Sequence, residues 1–472
     1  MTRDKLQIES SPKSEKERLS RPAYFLALNV ENVRSFGPKQ TLDLSNGKGR
    51  PAQWTIILGD NGVGKTTLLQ AIVALAPALD SWGIFGGPKK YAVPREAVDL
   101  NNFFFWNAER PNKKYFVSAT FFVGAKLTDE ERGEVLKDKL ESGRTLDGTN
   151  IIDTSISSIE YELIGEIDCF GYGASRRMGH TSLSEKIEDN PFISLFFEDA
   201  PLLNAEEWLL QADYTAHAAN SEAARKRAQK RRDEIKEVLI NLLPDVEDIR
   251  FAQLTEKQQK PGVEVKTPYG WVSIKDLSLG YKTLIAWMVD FASRMFDRYP
   301  KSRNPLAEPA VVLVDEIDLH LHPKWQRTLM GYLSERFPNT QFIATAHSPL
   351  VVQAASDANI VLLRRVGDHV VIENDVQAIH GWRVDQILTS DLFGLGSARP
   401  PQLDALLTER TKLLSKSRLT KKDRARLKEL EAEIGALPTG ETPADLEAMD
   451  IIRRAAGRLK REGRETSHDP GD

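Results

Sequence analysis

The chain has 472 residues, of which 28% are charged and 41% are hydrophobic. This length is enough for about two or three domains, or for one large elaborated domain with an ample core. The formal net charge of -4 at pH 7 excludes an overall basic character, so a nucleic-acid surface would have to be a local patch. With one cysteine, Cys169, a disulfide within the chain is excluded and a cytoplasmic protein is favoured.

The N-terminal residues 1–22 are polar and charged, without the apolar segment of a secretory signal, and we expect a disordered tail. No apolar run approaches the length of a membrane span, so no membrane contact is expected. Ordered sequence follows, in which residues 24–30 (YFLALNV) predict a strand and residues 41–44 its partner. The segment NVRSF at residues 32–36 lies between these two strands.

The strongest motif is LGDNGVGKTTLLQ at residues 58–70, which contains the G-x-x-x-x-G-K-[ST] pattern of a phosphate-binding loop (P-loop). The preceding residues 54–58 (WTIIL) predict a buried strand, and residues 65–79 have the apolar spacing of a helix. Glycines let successive backbone N–H groups point at phosphate oxygens, and the helix N-terminus adds its positive dipole end. A glycine turn that only joins a strand to a helix is the alternative interpretation.

Two side chains of this loop carry the expected chemistry. Lys65 supplies a positive charge for the β- and γ-phosphates of ATP, and the Thr66 hydroxyl is a candidate Mg²⁺ ligand. The predicted ATP-binding residues of the loop are Gly59, Asp60, Asn61, Gly62, Val63, Gly64, Lys65, Thr66 and Thr67.

The long stretch of residues 80–270 predicts an antiparallel β-lobe and a helical insertion. Residues 114–123 and 156–170 alternate in the manner of strands of that lobe, and residues 204–243 have a helical pattern. Residues 170–177 (FGYGASRR) close the lobe with two glycines and two arginines, where a loop that senses phosphate or Mg²⁺ could lie.

The predicted helical insertion contains a run of positive charge. Such a run is most often a solvated helical face. The alternative is a track for the phosphate backbone of DNA or RNA, and no other segment of the sequence is a candidate for that contact. The basic residues of the run are Arg225, Lys226, Arg227, Lys230, Arg231 and Arg232.

Two further motifs follow. Residues 277–281 (LSLGY) open a predicted helix, at which Ser278 and the following N–H groups form an N-terminus suited to an anion. Residues 311–316 (VVLVDE) predict a buried parallel strand that ends in two acids. Asp315 would hold Mg²⁺ directly or through water, and Glu316 would polarise the attacking water. The alternative interpretation is that the two acids only cap the start of a helix.

The next predicted strand is residues 341–346 (QFIATA), with His347 at its end. His320 and His322 have the spacing of a metal pair but no evident third ligand, so structural or interface histidines are expected. Residues 360–373 predict a hairpin around Gly367 and Asp368.

The remaining residues predict a C-terminal helical region at 381–463 and a fraying tail at 464–472. Within that region, residues 402–437 have the apolar spacing of a helical hairpin, whose second helix Thr420 could cap. A further helix start is predicted at residues 442–445 (TPAD).

In this order, the motifs resemble an ABC-type ATPase head of the SMC/RecF-like class, often labelled as AAA family in bacteria. The resemblance implies an α/β fold, in which residues 23–380 form a P-loop NTPase head with ATP and Mg²⁺ as its ligands. It also implies that Arg34 lies near the nucleotide phosphates. The alternative interpretation is that Arg34 is an ordinary surface residue. Residues 277–281 correspond to the signature motif, so that Ser278 and Gly280 bind ATP, and His347 corresponds to the switch histidine that contacts the γ-phosphate.

The wider pattern resembles the ATPase subunits of the Septu anti-phage modules, which work beside an HNH nuclease and also occur with retrons. Its segments are DEIDLHLHP, TAHSP and VDQILTSDLFGL. The resemblance implies a homo-oligomer that controls a separate nuclease. The chain has no Asp-x-Asp, so a Toprim nuclease centre within it is not expected. A DNA-repair clamp is one alternative, which a long heptad insertion would favour. A transporter ATPase subunit is the other, which the NVRSF opening and the long insertion disfavour.

Overall fold

The structure, a computed structural model, describes residues 22–75, 115–123, 125–129, 134–147, 150–153, 167–179, 191–252, 261–355, 357–376, 379–416 and 419–435. It divides into two compact units, of which the first ends at Phe393 and the second begins at Gly394. The tail expected at residues 464–472, the helix start at 442–445 and all but the last residue of the tail expected at 1–22 lie outside the described residues.

A six-stranded sheet forms the centre of the first unit, in the order β14-β13-β3-β12-β11-β7. The pairings are parallel except for the β13–β14 hairpin, which lies where the sequence predicted it. Parallel strands are covered on both faces, which explains the continuous apolar runs that form them. The strands are β3 (Trp54–Gly59), β7 (Cys169–Tyr172), β11 (Ala310–Val314), β12 (Thr340–Thr345), β13 (Asn359–Val366) and β14 (His369–Glu373).

A second sheet is antiparallel and has the order β2-β1-β4-β5-β6. It corresponds to the predicted opening strands and β-lobe. Its strands are β1 (Ala23–Glu31), β2 (Gln40–Asp43), β4 (Tyr115–Val123), β5 (Glu134–Asp147) and β6 (Asn150–Asp153).

Residues 156–170 were predicted to belong to the antiparallel lobe. That prediction is wrong for the last two residues of this range. Cys169 and Phe170 begin β7, which pairs in parallel with β11 at the edge of the central sheet. A four-residue apolar strand such as CFGY fits either kind of sheet, so only long-range packing decides its partner. Residues 154–166 lie outside the described part of the chain.

The described part of the first unit also contains seven α-helices. A small third sheet, in the order β10-β9-β8, follows the helical insertion, which the structure divides into α2 and α3. The elements are α1 (Lys65–Leu75), α2 (Ala205–Ala218), α3 (Glu222–Leu242), β8 (Asp248–Ala252), β9 (Gly262–Thr267), β10 (Gly270–Ser273), α4 (Leu279–Arg298), α5 (Pro323–Arg336), α6 (Pro349–Ala354) and α7 (Val384–Thr389).

The second unit contains the predicted helical hairpin, formed by α8 (Pro401–Leu414) and α9 (Lys421–Gly435). The Thr420 hydroxyl accepts a hydrogen bond from the Asp423 N–H at 3.2 Å, which is the predicted cap of α9. In the part of the chain that is described, we find no helix with both the length and the apolar character needed to cross a membrane.

The central sheet separates two apolar cores because successive strand residues point to opposite faces. Ile57 and Ile343 face the core shared with α1 and the antiparallel sheet. Ile56 and Phe342 face the other core, which contains almost the whole buried surface of α4. The central sheet therefore fixes α1 and α4 on opposite sides of the loops at its carboxyl edge.

A buried amide joins the two sheets. The backbone N–H of Phe25 donates to Gln341 Oε1 at 2.9 Å, and Gln341 Nε2 donates to the Phe25 carbonyl oxygen at 2.7 Å. Phe25 lies beside an irregularity in the pairing of β1 with β4, and the Gln341 side chain is fully buried on β12. The glutamine thus satisfies two main-chain groups of β1 through one side chain.

We expect Gln341→Leu to lower the free energy of unfolding by about 2–6 kcal/mol, since each buried unsatisfied polar group costs about 1–3 kcal/mol. Chemical denaturation of the purified protein measures this change. The control is Gln211→Leu on the exposed face of α2, which should change stability by less than about 0.5 kcal/mol. Equal stability of the two variants would show that the amide does not hold the sheets together.

Candidate active site

The loops that follow β3, β11 and β12 form a cleft of 700 Å³ at the carboxyl edge of the central sheet. Ligands of open α/β sheets characteristically bind at this edge. The cleft brings together residues that are far apart in the sequence. Its lining residues are Arg34, Ser35, Asn61, Gly62, Gly64, Lys65, Thr66, Thr67, Asp315, Glu316 and His347.

The phosphate-binding loop has the strand–turn–helix context that its sequence predicted, between β3 and α1. Gly64 has φ +95°, and a Cβ there would lie 2.5 Å from Ser35 Oγ, so only glycine fits. Lys65 Nζ donates to the carbonyl oxygens of Gly59 and Asp60, both at 2.8 Å. Burial lowers the pKa of Lys65, while the negative charges of Asp315 and Glu316 oppose that shift. A phosphate could take the place of these two carbonyls as the partner of Lys65.

Three of the predicted ATP-binding residues of the loop do not line the cleft with their side chains. Val63 is buried beneath the loop, with its side chain 5% exposed, so only its backbone is available to a ligand. Gly59 and Asp60 offer the carbonyls that hold Lys65, and neither residue lines the cleft.

Asp315 is the centre of a hydrogen-bond chain at the floor of the cleft. Thr66 Oγ1 donates to Asp315 Oδ2 at 2.7 Å, and Thr345 Oγ1 donates to Asp315 Oδ1 at 2.6 Å. A hydroxyl and a carboxylate in direct contact are hard oxygen ligands of the kind that Mg²⁺ prefers. The donor set of Thr66 and Asp315 therefore fits the expected Mg²⁺ site. Sequence reasoning missed Thr345, although its place at the end of a buried strand, two residues before His347, was a usable signal.

Glu316 lines the cleft in an uncommon backbone conformation. Its φ of 49° lies in the left-handed region, which costs a non-glycine residue about 1–3 kcal/mol. Two contacts offset that cost: the Glu316 N–H donates to Thr345 Oγ1 at 2.7 Å, and the Glu316 carbonyl oxygen accepts from Arg176 Nη2 at 2.9 Å. The conformation places the carboxylate-bearing residue beside the phosphate-binding loop.

His347 also lines the cleft, and its backbone is held by the segment that follows Glu316. The His347 N–H donates to the two carboxylate oxygens of Asp318 at 3.1 and 3.2 Å. Gln326 also connects the segment after Glu316 to the loop of His347. Its side-chain amide donates to the Leu321 carbonyl oxygen at 3.0 Å and accepts from Ser348 Oγ at 2.7 Å. The His347 Nε2 atom is buried and has no hydrogen-bond partner among the residues described, so it is available to a ligand in the cleft.

Arg34 also lines the cleft, as the family resemblance implied. It lies in a tight turn, closed by the Phe36 N–H donating to the Val33 carbonyl at 2.8 Å, and has φ 46°. Burial lowers the pKa of the Arg34 guanidinium. Its place in the cleft favours the interpretation that Arg34 acts at the nucleotide, and disfavours the interpretation as an ordinary surface arginine.

The signature residues lie at the start of α4 and do not line this cleft. Ser278 is the N-cap residue and is exposed, and its hydroxyl makes no capping hydrogen bond. Gly280 is buried, and a Cβ there would lie 2.5 Å from the His320 carbonyl oxygen. The signature helix therefore packs closely on the segment that follows Glu316, and its N-terminus is open to solvent.

His322 has the structural role that was expected of it. Its Nδ1 accepts from the Lys324 N–H at 3.3 Å and caps α5. Across the described ranges, no group of three or more histidine, cysteine or acidic residues could hold a metal ion.

Acidic side chains pair with most of the basic run on α3. Lys226 pairs with Glu222 at 2.7 Å, Arg231 with Asp297 at 2.8 Å, and Arg232 with Asp213 at 2.9 Å. Lys230 lies 3.5 Å from Glu234. These pairs support the interpretation as a solvated helical face, and contact with DNA or RNA stays a prediction.

Comparisons with known proteins confirm the resemblance found in the motifs. The chain is 27% identical over 416 residues to the Septu protein PtuA of Bacillus mycoides (strain KBAB4), over 86% of this chain and 49% of that protein. It is 47% identical over 95 residues to the retron Vc95 probable ATPase of Vibrio cholerae serotype O1 biovar El Tor, over 20% of this chain and 18% of that protein. The match thus spans about half the length of the first relative and a smaller share of the second.

Among solved structures, the SMC head domain from Thermotoga maritima matches with 15% identity and a TM-score of 0.36, over 75% of this chain and 99% of that one. This TM-score is too low to add to the assignment of the fold, which rests on the sheet order and on the strand–loop–helix context of the phosphate-binding loop. A family model described as "AAA domain, putative AbiEii toxin, Type IV TA system" matches residues 55–353, which include every cleft residue except Arg34 and Ser35. Because that match extends over more than half of the chain, the protein belongs to this family of AAA domains.

Proposed function

We propose that this chain is an ATPase that binds ATP with Mg²⁺ in the 700 Å³ cleft, and that it acts as an oligomer controlling a separate nuclease in anti-phage defence. One observation carries the ATPase part. Lys65, Thr66, Asp315, Glu316 and His347, which come from three separate motifs, line the same cleft.

In this proposal, the phosphates of ATP lie against the N-terminus of α1. The backbone N–H groups of the loop and the helix dipole attract the negative charge. Lys65 exchanges its two carbonyl partners for phosphate oxygens, and Arg34, which also lines the cleft, adds a second positive charge. Thr66 and Asp315 would hold Mg²⁺, which would neutralise negative charge on the phosphates of ATP.

Glu316 is the proposed general base for hydrolysis. Its carboxylate accepts a proton from the attacking water, a contribution of about 10²–10⁴-fold for a well-placed base. His347 contacts the γ-phosphate through its Nε2 atom. Because the loop of His347 hydrogen-bonds to Asp318 from the segment after Glu316, the two residues are held in a fixed relation.

The proposed oligomer contains a head-to-head dimer. Ser278 is exposed at the start of α4, and Leu279 beside it is 54% exposed, an unusual setting for a leucine that opens an otherwise buried helix. An interface with two-fold symmetry would place Ser278 of each chain against the ATP of the other chain and complete both sites at once.

The nuclease part of the proposal rests on relatives and on sequence. The curated relatives are a Septu protein and a retron ATPase, and this chain lacks the Asp-x-Asp of a Toprim centre. The proposed partner is an HNH-type nuclease, to which the nucleotide state of the ATPase is transmitted.

We expect Lys65→Ala to weaken ATP binding by about 10- to 100-fold, because a charge-assisted hydrogen bond contributes about 1.5–3 kcal/mol. Fluorescence titration with a labelled ATP analogue measures the dissociation constant. Lys48→Ala, in the exposed loop before β3, is the control and should bind normally. Unchanged affinity in a folded Lys65→Ala protein would contradict the assignment of the phosphate-binding loop.

We expect Glu316→Gln with saturating ATP to have at least twice the mass of a monomer, because binding persists while hydrolysis is slow. Light scattering measures this mass. Adding Ser278→Arg should abolish the ATP-dependent increase, since bulk and charge then lie at the interface. Adding Tyr214→Arg instead, at a residue of α2 that is 72% exposed, should leave the increase intact. A Glu316→Gln protein that stays monomeric would rule out the shared site.

We expect the purified chain alone not to cut DNA. A plasmid nicking assay with Mg²⁺ and with Mn²⁺ tests this, and addition of an HNH nuclease from a Septu module tests the partner. Cleavage by the chain alone that persists in Glu316→Gln would reveal a nuclease centre within this chain. It would overturn the proposal that a separate protein supplies the nuclease.

A further inference from the structure

Arg176 is a buried cation that the proposed ATPase mechanism has not used. It lies in the loop after β7, at the carboxyl edge of the central sheet, and only 2% of it is exposed. Its φ of 37° is in the left-handed region, as is that of Glu316. A non-glycine residue keeps this conformation only where the surroundings hold it, and such residues cluster at functional sites.

The guanidinium of Arg176 holds the backbone on which the catalytic machinery is built. Its Nη1 donates to the Asp315 carbonyl oxygen and, at 3.3 Å, to the Gly173 carbonyl oxygen. Its Nη2 donates to the Glu316 carbonyl oxygen at 2.9 Å. The planar fork of one arginine thus binds the carbonyls of two consecutive residues, which fixes the peptide between Asp315 and Glu316.

Arg176 remains charged although it is buried. Burial lowers its pKa to about 10, against the opposing effect of the nearby carboxylates of Asp315, Asp318 and Glu316. The buried positive charge therefore lies next to the acids that would face Mg²⁺ and the attacking water.

Arg176 also contacts the signature helix. Its guanidinium carbon lies 5.9 Å from the ring centroid of Trp287, a fully buried residue of α4. The ring of Trp287 also lies 6.0 Å from the ring of Tyr172, the last residue of β7. The loop of Arg176 is consequently packed between the end of β11 and α4, the helix whose N-cap residue is Ser278.

We propose that Arg176 is a positioning residue, which holds Glu316 in the conformation needed for hydrolysis and links that conformation to the signature helix α4. This inference rests on the proposed ATPase function and deepens it, because it names the side chain through which the signature helix affects the base. Arg176 acts through Glu316 and does not itself contact the nucleotide.

Lysine cannot substitute for Arg176 in this role. A lysine ammonium is a point charge on a flexible stem, so it retains the positive charge but not the fixed fork that binds both carbonyls. Arg176→Lys therefore separates the effect of geometry from the effect of charge. The neighbouring Arg177 is exposed, and Arg177→Lys is the matched control.

The test measures the steady-state ATPase rate and the ATP dissociation constant of each variant. We expect Arg176→Lys to lower kcat by about 10- to 100-fold, the effect of displacing a catalytic group by about 1 Å, with ATP affinity changed by less than threefold. In the Glu316→Gln background, Arg176→Lys should cause no further loss of kcat, because the residue that it positions is already inactive. Arg177→Lys should match the wild type.

A second variant keeps Arg176 and tests the contact with α4. Trp287→Leu retains an apolar side chain but removes the ring, and we expect kcat to fall by about 2- to 30-fold with ATP affinity unchanged. Thermal unfolding of each variant shows whether the assay is run on folded protein. If Arg176→Lys does not fold, a wild-type kcat in folded Trp287→Leu overturns the proposal as stated, because the proposal joins Glu316 to α4 through Arg176.

The outcomes separate failure of this inference from failure of the ATPase function. A wild-type chain without ATPase activity, or a fully active Glu316→Gln protein, would overturn the proposed function itself. A wild-type kcat in Arg176→Lys, or an equal further loss of kcat in the Glu316→Gln background, would overturn the positioning role and leave the ATPase function standing. A wild-type kcat in Trp287→Leu would overturn the link to α4.

Discussion

The contact between Asp315 and the two threonine hydroxyls is the interaction on which the site depends. A carboxylate that is 7% exposed must have its lone pairs satisfied, and here Thr66 and Thr345 donate to one oxygen each. The three residues come from α1, the end of β11 and the end of β12. Their distances are therefore set by the order of the parallel strands, and a displacement of any one strand would leave a buried charge without its partners.

Backbone conformation carries a second part of the site. Arg34, Arg176 and Glu316 all have positive φ, although none of them is glycine. Contacts from other segments hold two of them: Glu316 is held by Thr345 and by Arg176, and Arg176 by its hydrogen bonds to the carbonyls of Asp315 and Glu316. Strain of about 1–3 kcal/mol per residue is thus maintained at Arg34 and Glu316, which line the cleft, and at Arg176, which binds the backbone of Glu316.

The sequence predicted most of this site because its motifs combine residue type with local context. A strand, a glycine turn and a helix specify the phosphate-binding loop without knowledge of the rest of the fold. Thr345 and Arg176 were not assigned, since their roles depend on hydrogen bonds to Asp315 and Glu316, more than 25 residues away in the sequence. The prediction for Cys169 and Phe170 was wrong for the same reason, because the partner of a short strand is a long-range property.

The signature helix α4 is joined to the site by more than contact with Arg176. Asp290, on the same helix, accepts a hydrogen bond from the Tyr172 hydroxyl at 2.9 Å and from Arg294 Nε at 2.8 Å. Burial and the charge of Asp290 both raise the pKa of Tyr172, so this hydroxyl stays protonated and keeps donating. Tyr172 ends β7, and its carbonyl oxygen accepts from the Asp315 N–H at 2.8 Å. A shift of α4 would therefore strain β7 and the Asp315 backbone together. This connects the start of the helix, where Ser278 lies, to the carboxyl edge of the central sheet.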